Sequence, residues 1–376
     1  MKVLIQSRKD FYSLAGGDTI QLTKTAEQLK KLGIDVDISL ELEPDLSEYD
    51  IIHLSNLTRI QETYIQLLNA KKYNKPIVLS TIYWPMDEFE SKAHSGLRGI
   101  LNKIFNIDQI ERIKAFIKLI VRPNSRNKAT LKLITVGYTK MQREVLENVD
   151  YFLPNAEIEM KKLMEYYSFT TDKYTVIPNS IDKDIALSAM KKESNQFLKY
   201  KDAVICVGRI DPRKNQLKLV KAMDGTKIKL LLVGKVNTEY KKYFSQIETI
   251  MKRNENFYYE PFIKNDDMYQ LYKVCKVNVL PSWLDTPGLV NLEAGVMGCN
   301  LAITNRGSTE EYFGKFAEYC SPDNEESIKT SVLKAFEKPK NDKLKDYILN
   351  NFTWNISAKK TYEVYKKVLN SRMVKK

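Results

Sequence analysis

Short apolar runs alternate with stretches of helical periodicity along almost the whole chain. Lys2-Val3-Leu4-Ile5-Gln6, Asp35-Val36-Asp37-Ile38, Asp50-Ile51-Ile52-His53-Leu54, Ile77-Val78-Leu79-Ser80-Thr81 and Val149-Asp150-Tyr151-Phe152-Leu153 read as strands. Between the first two, Ile20, Leu22, Ala26, Leu29 and Leu32 recur at helical spacing and stop at Gly33. Further helices are expected from Gln61 to Tyr73 and from Glu157 to Tyr166. The alternation restarts with Ala203-Val204-Ile205-Cys206-Val207, Lys229-Leu230-Leu231-Leu232-Val233, Phe257-Tyr258-Tyr259, Val277-Asn278-Val279-Leu280 and Leu301-Ala302-Ile303. Strands that alternate with helices predict parallel, doubly wound α/β sheets, here two in tandem. The turn Pro178-Asn179-Ser180-Ile181-Asp182 and the lysine-rich stretch from Lys191 to Lys201 mark the boundary, which divides residues 1–182 from 183–355.

Length and composition agree with that division. A chain of 376 residues suits two domains of roughly 150 to 200 residues, and 43% hydrophobic with 28% charged residues is a globular composition. The four cysteines lack metal-ligand spacing and read as free thiols of a reducing compartment. Two histidines are too few for a His-rich metal site, so no metal is expected. No apolar run approaches a membrane span, and Met1-Lys2-Val3-Leu4-Ile5 turns polar too early for a signal peptide, which predicts a cytoplasmic protein.

Charge changes the picture in one place. The formal net charge is +13, and from Ser91 to Arg143 twelve basic residues face two acidic ones. Leu97, Leu101, Ile104 and Phe105 share one helical face, whereas Ile110, Ile113, Phe116, Ile117, Ile120 and Val121 fall on the other side of a continuous helix. A break near Asp108 resolves the conflict, since Asp108 and Glu111 have capping-box spacing. The second helix then runs to Arg122 and stops at Pro123, with Arg112, Lys114, Lys118 and Arg122 opposite its apolar stripe. Such a helix either lies on an anionic membrane surface or packs on the sheet with solvated lysines.

Candidate chemistry gathers at the expected carboxyl ends of strands. Asp285 and Glu293 flank the turn Thr286-Pro287-Gly288, and the helical repeat Leu289, Leu292, Val296, Met297 follows, so the two carboxylates are placed to grip one polar ligand or to serve only as a loop Asp and a helix-dipole Glu. Gly208-Arg209-Ile210-Asp211-Pro212-Arg213-Lys214 follows a strand; its planar Arg fork and mobile Lys charge suit a diphosphate. Gly16 and Gly17 precede a helix N-terminus, where backbone N–H groups can approach an anion, although many such turns use glycine for geometry alone. His53 closes an apolar strand and reads as a satisfied structural residue. Ile82-Tyr83-Trp84-Pro85-Met86-Asp87-Glu88 combines aromatic faces and carboxylates, which suits a sugar but also covers cores.

At these residues the chain resembles the GT-B glycosyltransferases of family 4, the retaining, metal-independent members of glycosyltransferase group 1. Val207 to Lys214 resembles that family's diphosphate-binding element, Asp285 and Glu293 match its two acidic residues separated by seven, and Gly16-Gly17 match the glycines of its first loop. Pro178 to Asp182, Gly307 with Glu310, and Phe352-Thr353-Trp354 with Tyr362 and Tyr365 resemble its interdomain element, its segment after the last core strands and its terminal helix.

The resemblance implies two facing Rossmann-like domains: an acceptor domain (1–182, with the helix 356–376 packing back on it) and a nucleotide-sugar donor domain (183–355). It implies that Arg209 and Lys214 neutralise the leaving diphosphate, Glu293 accepts from ribose hydroxyls and Asp285 from the transferred sugar, with Gly16, Gly17, Gly208, Ile263, Gly288 and Leu289 lining the donor site. Tyr83, Trp84 and Asp87 fall to the acceptor. No cofactor is implied, since the UDP- or GDP-type sugar is a substrate. The expected reaction moves a hexose or N-acetylhexosamine to a glycan or lipid-linked acceptor in cell-surface polysaccharide assembly, in the cytoplasm or at the inner face of the cell membrane. Departures from the pattern are Asp285 where Glu is usual, Pro287 where an N–H is normal, Ser180 for Gly, a single glycine at Gly234-Lys235, and no histidine after Ser80-Thr81. The rival readings are a nucleotide-sugar epimerase of the same fold and a non-catalytic binder of membrane or nucleic acid; no nucleic-acid motif supports the latter.

Overall fold

The computed structural model describes residues 1–85, 107–121, 127–193, 195–340 and 342–373. Asp87, the face formed by Leu97, Leu101, Ile104 and Phe105, Arg122, Pro123 and the side chain of Lys118 lie outside the described residues. The chain divides into two compact units, Met1–Pro178 with Trp354–Lys376, and Asn179–Thr353.

The first unit is built on β1 (Lys2–Gln6), β2 (Asp35–Ser39), β3 (Ile51–Ser55), β4 (Ile77–Ser80) and β5 (Tyr151–Phe152), an all-parallel sheet in the order β2-β1-β3-β4-β5. A parallel sheet buries both faces, which is why its strands read as continuous apolar runs. Alternate residues of β1 serve two cores. Val3 and Ile5 join Leu22, Ala26 and Leu29 of the helix Gly17–Lys31 and Ala358, Val364, Tyr365 and Val368 of the terminal helix Trp354–Met373. Leu4 faces the other way, into a cluster with Ile65 and Leu67 of the helix Ile60–Lys72 and Met141 and Val145 of the helix Tyr138–Asn148. His53 is the buried tie between sheet and terminal helix. Its Nδ1 lies 2.7 Å from Tyr365 Oη and its Nε2 2.8 Å from Ser80 Oγ, and burial pushes its pKa down to about 3.

The helix Ile107–Val121 corrects one detail of the sequence reading. Asp108 sits in its first turn, and its carboxylate accepts from Arg112 Nε (2.7 Å) and from the Thr139 N–H (3.0 Å), while Glu111 pairs with Lys114. The capping box is therefore not formed. Among the described residues no helix is long and apolar enough to cross a membrane.

The second unit carries β6 (Val204–Val207), β7 (Leu230–Val233), β8 (Phe257–Glu260), β9 (Val277–Leu280), β10 (Asn300–Thr304) and β11 (Ala317–Cys320), again all parallel, in the order β11-β10-β9-β6-β7-β8. The strand β11 was not expected from the sequence. Short polar side chains start its helices: Asp182 accepts from the N–H groups of Asp184 and Ile185 at Lys183–Lys191, and Asn324 from Ser327 N–H at Glu325–Glu337. All four cysteines are buried free thiols. Strand order reverses between the neighbours β9 and β6, the place where open α/β sheets receive ligands.

Candidate functional site

β6 and β9 pair with Val204 opposite Val277 and Ile205 opposite Asn278, so the loops leaving Val207 and Leu280 start side by side at the reversal. Side chains of the β6 loop and the backbone of the β9 loop then brace one another. Arg213 Nη1 donates to Leu284 O (3.0 Å), the Trp283 N–H to Arg213 O (2.8 Å), and Asn215 Nδ2 to Pro281 O (3.0 Å) and Pro322 O (2.7 Å). The β7 loop approaches closely from the far side: Gly234 has φ +146°, and a Cβ there would come within 2.1 Å of Gly208 O. Only glycine fits that contact.

The structure brings Lys214 and Asp285 into direct contact. Lys214 Nζ donates to Asp285 Oδ1 at 2.7 Å, with side-chain exposures of 14% and 6%, and Ser282 Oγ donates to Asp285 Oδ2. Burial outweighs the attraction of Asp285 and draws the Lys214 pKa below its usual value. The Asp285 backbone is fixed as well. Its carbonyl accepts from Ser308 N–H (3.1 Å), and Gly307, with φ +89°, packs so tightly that a Cβ would fall 1.9 Å from that oxygen.

Arg209, in contrast, is exposed and has no partner among the described residues. Of the three cations on this loop, Lys214 is paired with Asp285, Arg213 is tied to Leu284 O, and Arg209 is free.

Glu293 lies in the helix Leu289–Val296 with part of its surface open. No cation faces it among the described residues; burial pushes its pKa up to about 7, which the hydroxyl of the fully buried Tyr272 opposes only in part. The Gly288 and Leu289 N–H groups, at the start of this helix, meet no protein acceptor among the described residues. The turn before them is held by a buried amide chain, Asn278 Nδ2 to Asn291 Oδ1 (2.8 Å) and Asn291 Nδ2 to Pro287 O (2.7 Å), and the Thr286-Pro287 bond is cis. Asn179 adds a brace, its Nδ2 donating to Thr286 O at 2.9 Å and its N–H to Tyr312 Oη at 2.8 Å. Asn179 Oδ1 and Ser308 Oγ, both on residues that touch this turn, are buried without a hydrogen-bond partner. Native interiors rarely tolerate such orphans, and a bound polar ligand would give them work. Ile263 is half-buried just before the helix Asn265–Val274.

Ser282, Asn179 and Tyr272 were not singled out by the sequence for these contacts. Ser282, three residues before Asp285 in a Pro-Ser-Trp turn, carried a usable signal; Tyr272, on another helix, carried none. No three His, Cys, Asp or Glu side chains converge as a metal cage among the described residues.

In the first unit the glycine loop is already occupied by its own charges. The Gly16 N–H donates to Thr19 Oγ1 (3.2 Å), while Arg8, 7% exposed, binds Asp18 (2.8 Å) and Asp10 (2.7 Å) and donates to Leu14 O (2.9 Å). Gly17 begins the helix, next to the Asp18 carboxylate. Tyr83 is 7% exposed and packs on Tyr166 and Tyr167. Trp84 is half-exposed. The preceding turn is pinned by the buried carboxylate of Glu159, which accepts from Thr81 Oγ1 and the Tyr83 N–H (3.0 Å). Arg112 is likewise committed inward, to Asp108, Ile134 O (3.1 Å) and Val136 O (3.1 Å), whereas Lys114 is exposed.

Residues 189–353, which lie within the second unit, match the profile of the family described as Glycosyl transferases group 1. Over 241 residues the chain is 24% identical to the serotype-specific mannosyltransferase WbdA of Escherichia coli, a match that covers 60% of this chain and 30% of that protein. The chain thus spans less than a third of that relative's length. Among solved structures, sucrose-phosphate synthase of Thermosynechococcus elongatus superposes with a TM-score of 0.68 at 14% identity, covering 99% of this chain and 100% of that one. HepE of Anabaena, solved with UDP, superposes with a TM-score of 0.65 at 15% identity over 98% and 100%. The two parallel-sheet α/β domains are those of the GT-B fold.

Proposed function

We propose that the protein is a retaining, metal-independent glycosyltransferase that moves a hexose or N-acetylhexosamine from a UDP- or GDP-type nucleotide sugar to a glycan or lipid-linked acceptor in polysaccharide assembly. One observation carries the reading most: the loops after β6 and β9, which bear Arg209 with Lys214 and the open N–H groups of Gly288 and Leu289, start side by side at the strand-order reversal and meet at the Lys214–Asp285 contact. Mannosyl transfer by the WbdA relative supports a hexose, and the UDP in the HepE structure supports a nucleotide at this fold.

In this reading the bond between the anomeric carbon and the diphosphate oxygen breaks, and its electron pair leaves with the diphosphate. Arg209 and Lys214 stabilise the growing negative charge, and the departing phosphate oxygen takes the acceptor proton as the new bond forms on the same face. Glu293 accepts from the ribose hydroxyls, and a carboxylate with no competing cation suits that task.

The test is a thermal-shift screen of nucleotide sugars followed by acceptor-dependent release of nucleotide. Arg209→Ala and Lys214→Ala are expected to lower turnover by about 10² to 10³ each. Normal turnover in both variants would exclude the mechanism, and a changed sugar with no acceptor present would identify an epimerase.

A specific observation favours docking on an anionic membrane as well. Ile113, Phe116, Ile117, Ile120 and Val121 are 44 to 68% exposed on the helix Ile107–Val121, beside the exposed Lys114.

A further inference from the structure

We propose that Asp285 acts through Lys214, as an internal anion that a donor diphosphate must displace, and not as a grip on the transferred sugar. The inference rests on the glycosyl-transfer reading of this site. Both carboxylate oxygens are engaged, Oδ1 by the Lys214 ammonium at 2.7 Å and Oδ2 by the Ser282 hydroxyl. With 6% exposure, and a backbone clamped by Ser308 N–H and by the close packing of Gly307, the carboxylate is held against Lys214 and Ser282 and away from the surface. Aspartate is also the shorter of the two acidic side chains, so its reach is spent on the ammonium.

The arrangement has a chemical purpose. An ammonium at 14% exposure with no counter-ion would tend to shed its proton or leave the site. Asp285 keeps it charged and aimed while no donor is bound. A nucleoside diphosphate brings its own negative charge, takes over the ammonium and meets repulsion from the Asp285 carboxylate. Arg209, free and exposed, gives the diphosphate its first contact without that competition. After transfer the same carboxylate competes with the product diphosphate for Lys214 and so favours release. Asp285 is thus a positioning residue that tunes how long the nucleotide stays.

Calorimetric titration of UDP and GDP, without sugar, separates the two roles. Asp285→Asn is expected to bind the preferred diphosphate about tenfold more tightly than the unaltered protein. It should also show lower kcat and lower KM in the transfer assay, as release becomes slower. Lys214→Met should bind it more weakly, and Asp285→Asn added to Lys214→Met should give a clearly smaller gain than Asp285→Asn alone, because the larger part of the effect passes through the ammonium and only the direct repulsion remains. If Asp285→Asn does not fold, Asp285→Ser carries the same expectation. Unchanged or weaker binding of the bare diphosphate, with affinity lost only for the intact nucleotide sugar, would return Asp285 to the sugar and overturn the proposal. Absence of diphosphate binding to the unaltered protein would overturn the glycosyl-transfer reading itself.

Discussion

At the scale of single residues the site is a set of unequal charges, and Glu293 shows what that implies. Burial raises its pKa to about 7, so near neutral pH Glu293 is a mixture of carboxylic acid and carboxylate. Ribose hydroxyls donate hydrogen bonds, so they favour the carboxylate and binding releases a proton. Nucleotide affinity should therefore climb as pH rises toward 7 and level off above it, by up to about tenfold per unit below that value. Calorimetry at pH 6, 7 and 8 in two buffers of different ionisation enthalpy measures both the affinity and the proton. Glu293→Gln should bind more weakly by about 1.5 to 3 kcal/mol at pH 8 and lose the pH dependence; an unaltered slope would take Glu293 out of the ribose contact. Folding of the empty protein responds oppositely. The folded state holds the proton more strongly than the unfolded chain between the ordinary carboxyl value and about 7, so this group lowers stability as pH rises through that window. The sequence made Arg209, Lys214, Asp285 and Glu293 legible as charges at strand ends. It could not show that Asp285 takes Lys214 while Arg209 stays free, because that pairing depends on which two strands are neighbours.

At the scale of elements, the buried strands were legible and the surfaces were not. Runs such as Val3 to Ile5 or Leu230 to Val233 are apolar throughout because both faces of a parallel sheet are covered. The edge strand β11, Ala317-Glu318-Tyr319-Cys320, mixes polar and apolar residues at half-buried positions and gives no such run. His53 could be read as structural, but its partner Tyr365 lies in a helix at the other end of the chain. Tyr365→Phe should leave His53 Nδ1 buried without its partner and cost about 1 to 3 kcal/mol, seen as a fall in Tm. The unfolded histidine protonates near pH 6.5 and the folded one only near 3, so stability should decline as pH falls through that interval, by up to about 1.4 kcal/mol per unit; His53→Gln should remove that component from an acid titration followed by circular dichroism. For the helix Ile107–Val121 the periodicity left two uses of the apolar stripe open, a membrane surface or packing on the sheet, and most of that stripe is exposed. Ala115 is buried and Arg112 reaches inward to two carbonyls, while the apolar stripe points to solvent. If that stripe docks on anionic lipid, Phe116→Ser with Ile120→Ser should abolish co-flotation with vesicles containing phosphatidylglycerol and leave Tm unchanged within about 1 °C, since both side chains are already exposed. Flotation equal to that of the unaltered protein would clear the helix of that role.

At the scale of the whole molecule, the proposed nucleotide site and the terminal helix belong to different units, and that separation can be tested. Lys214, Asp285, Ser282, Glu293, Tyr272, Asn179 and Tyr312 all lie within Asn179–Thr353. That unit is also closed on itself: Ile181 and Thr353 form a β-bridge, with the Ile181 N–H 3.0 Å from Phe352 O, so its two chain ends are stitched together. The first unit lacks such closure without its last helix. Removal of Trp354–Met373 would uncover Val3, Ile5 and Val36 where Ala358, Val364, Tyr365 and Val368 now pack, at about 1.5 to 3 kcal/mol for each large apolar side chain left exposed, which matches or exceeds the stability of an ordinary domain. Residues 179–353 expressed alone are therefore expected to unfold cooperatively on heating and to bind nucleoside diphosphate within about tenfold of the full chain, whereas residues 1–178 alone should aggregate and recover solubility when the terminal helix is fused back. Calorimetric scans and titrations of the two pieces decide the matter. A second unit that melts without cooperativity, or folds but binds no nucleotide, would mean that its site is not self-sufficient. The sequence boundary near residue 182 would then mark only a turn in the chain, not a division between donor handling and the rest of the reaction.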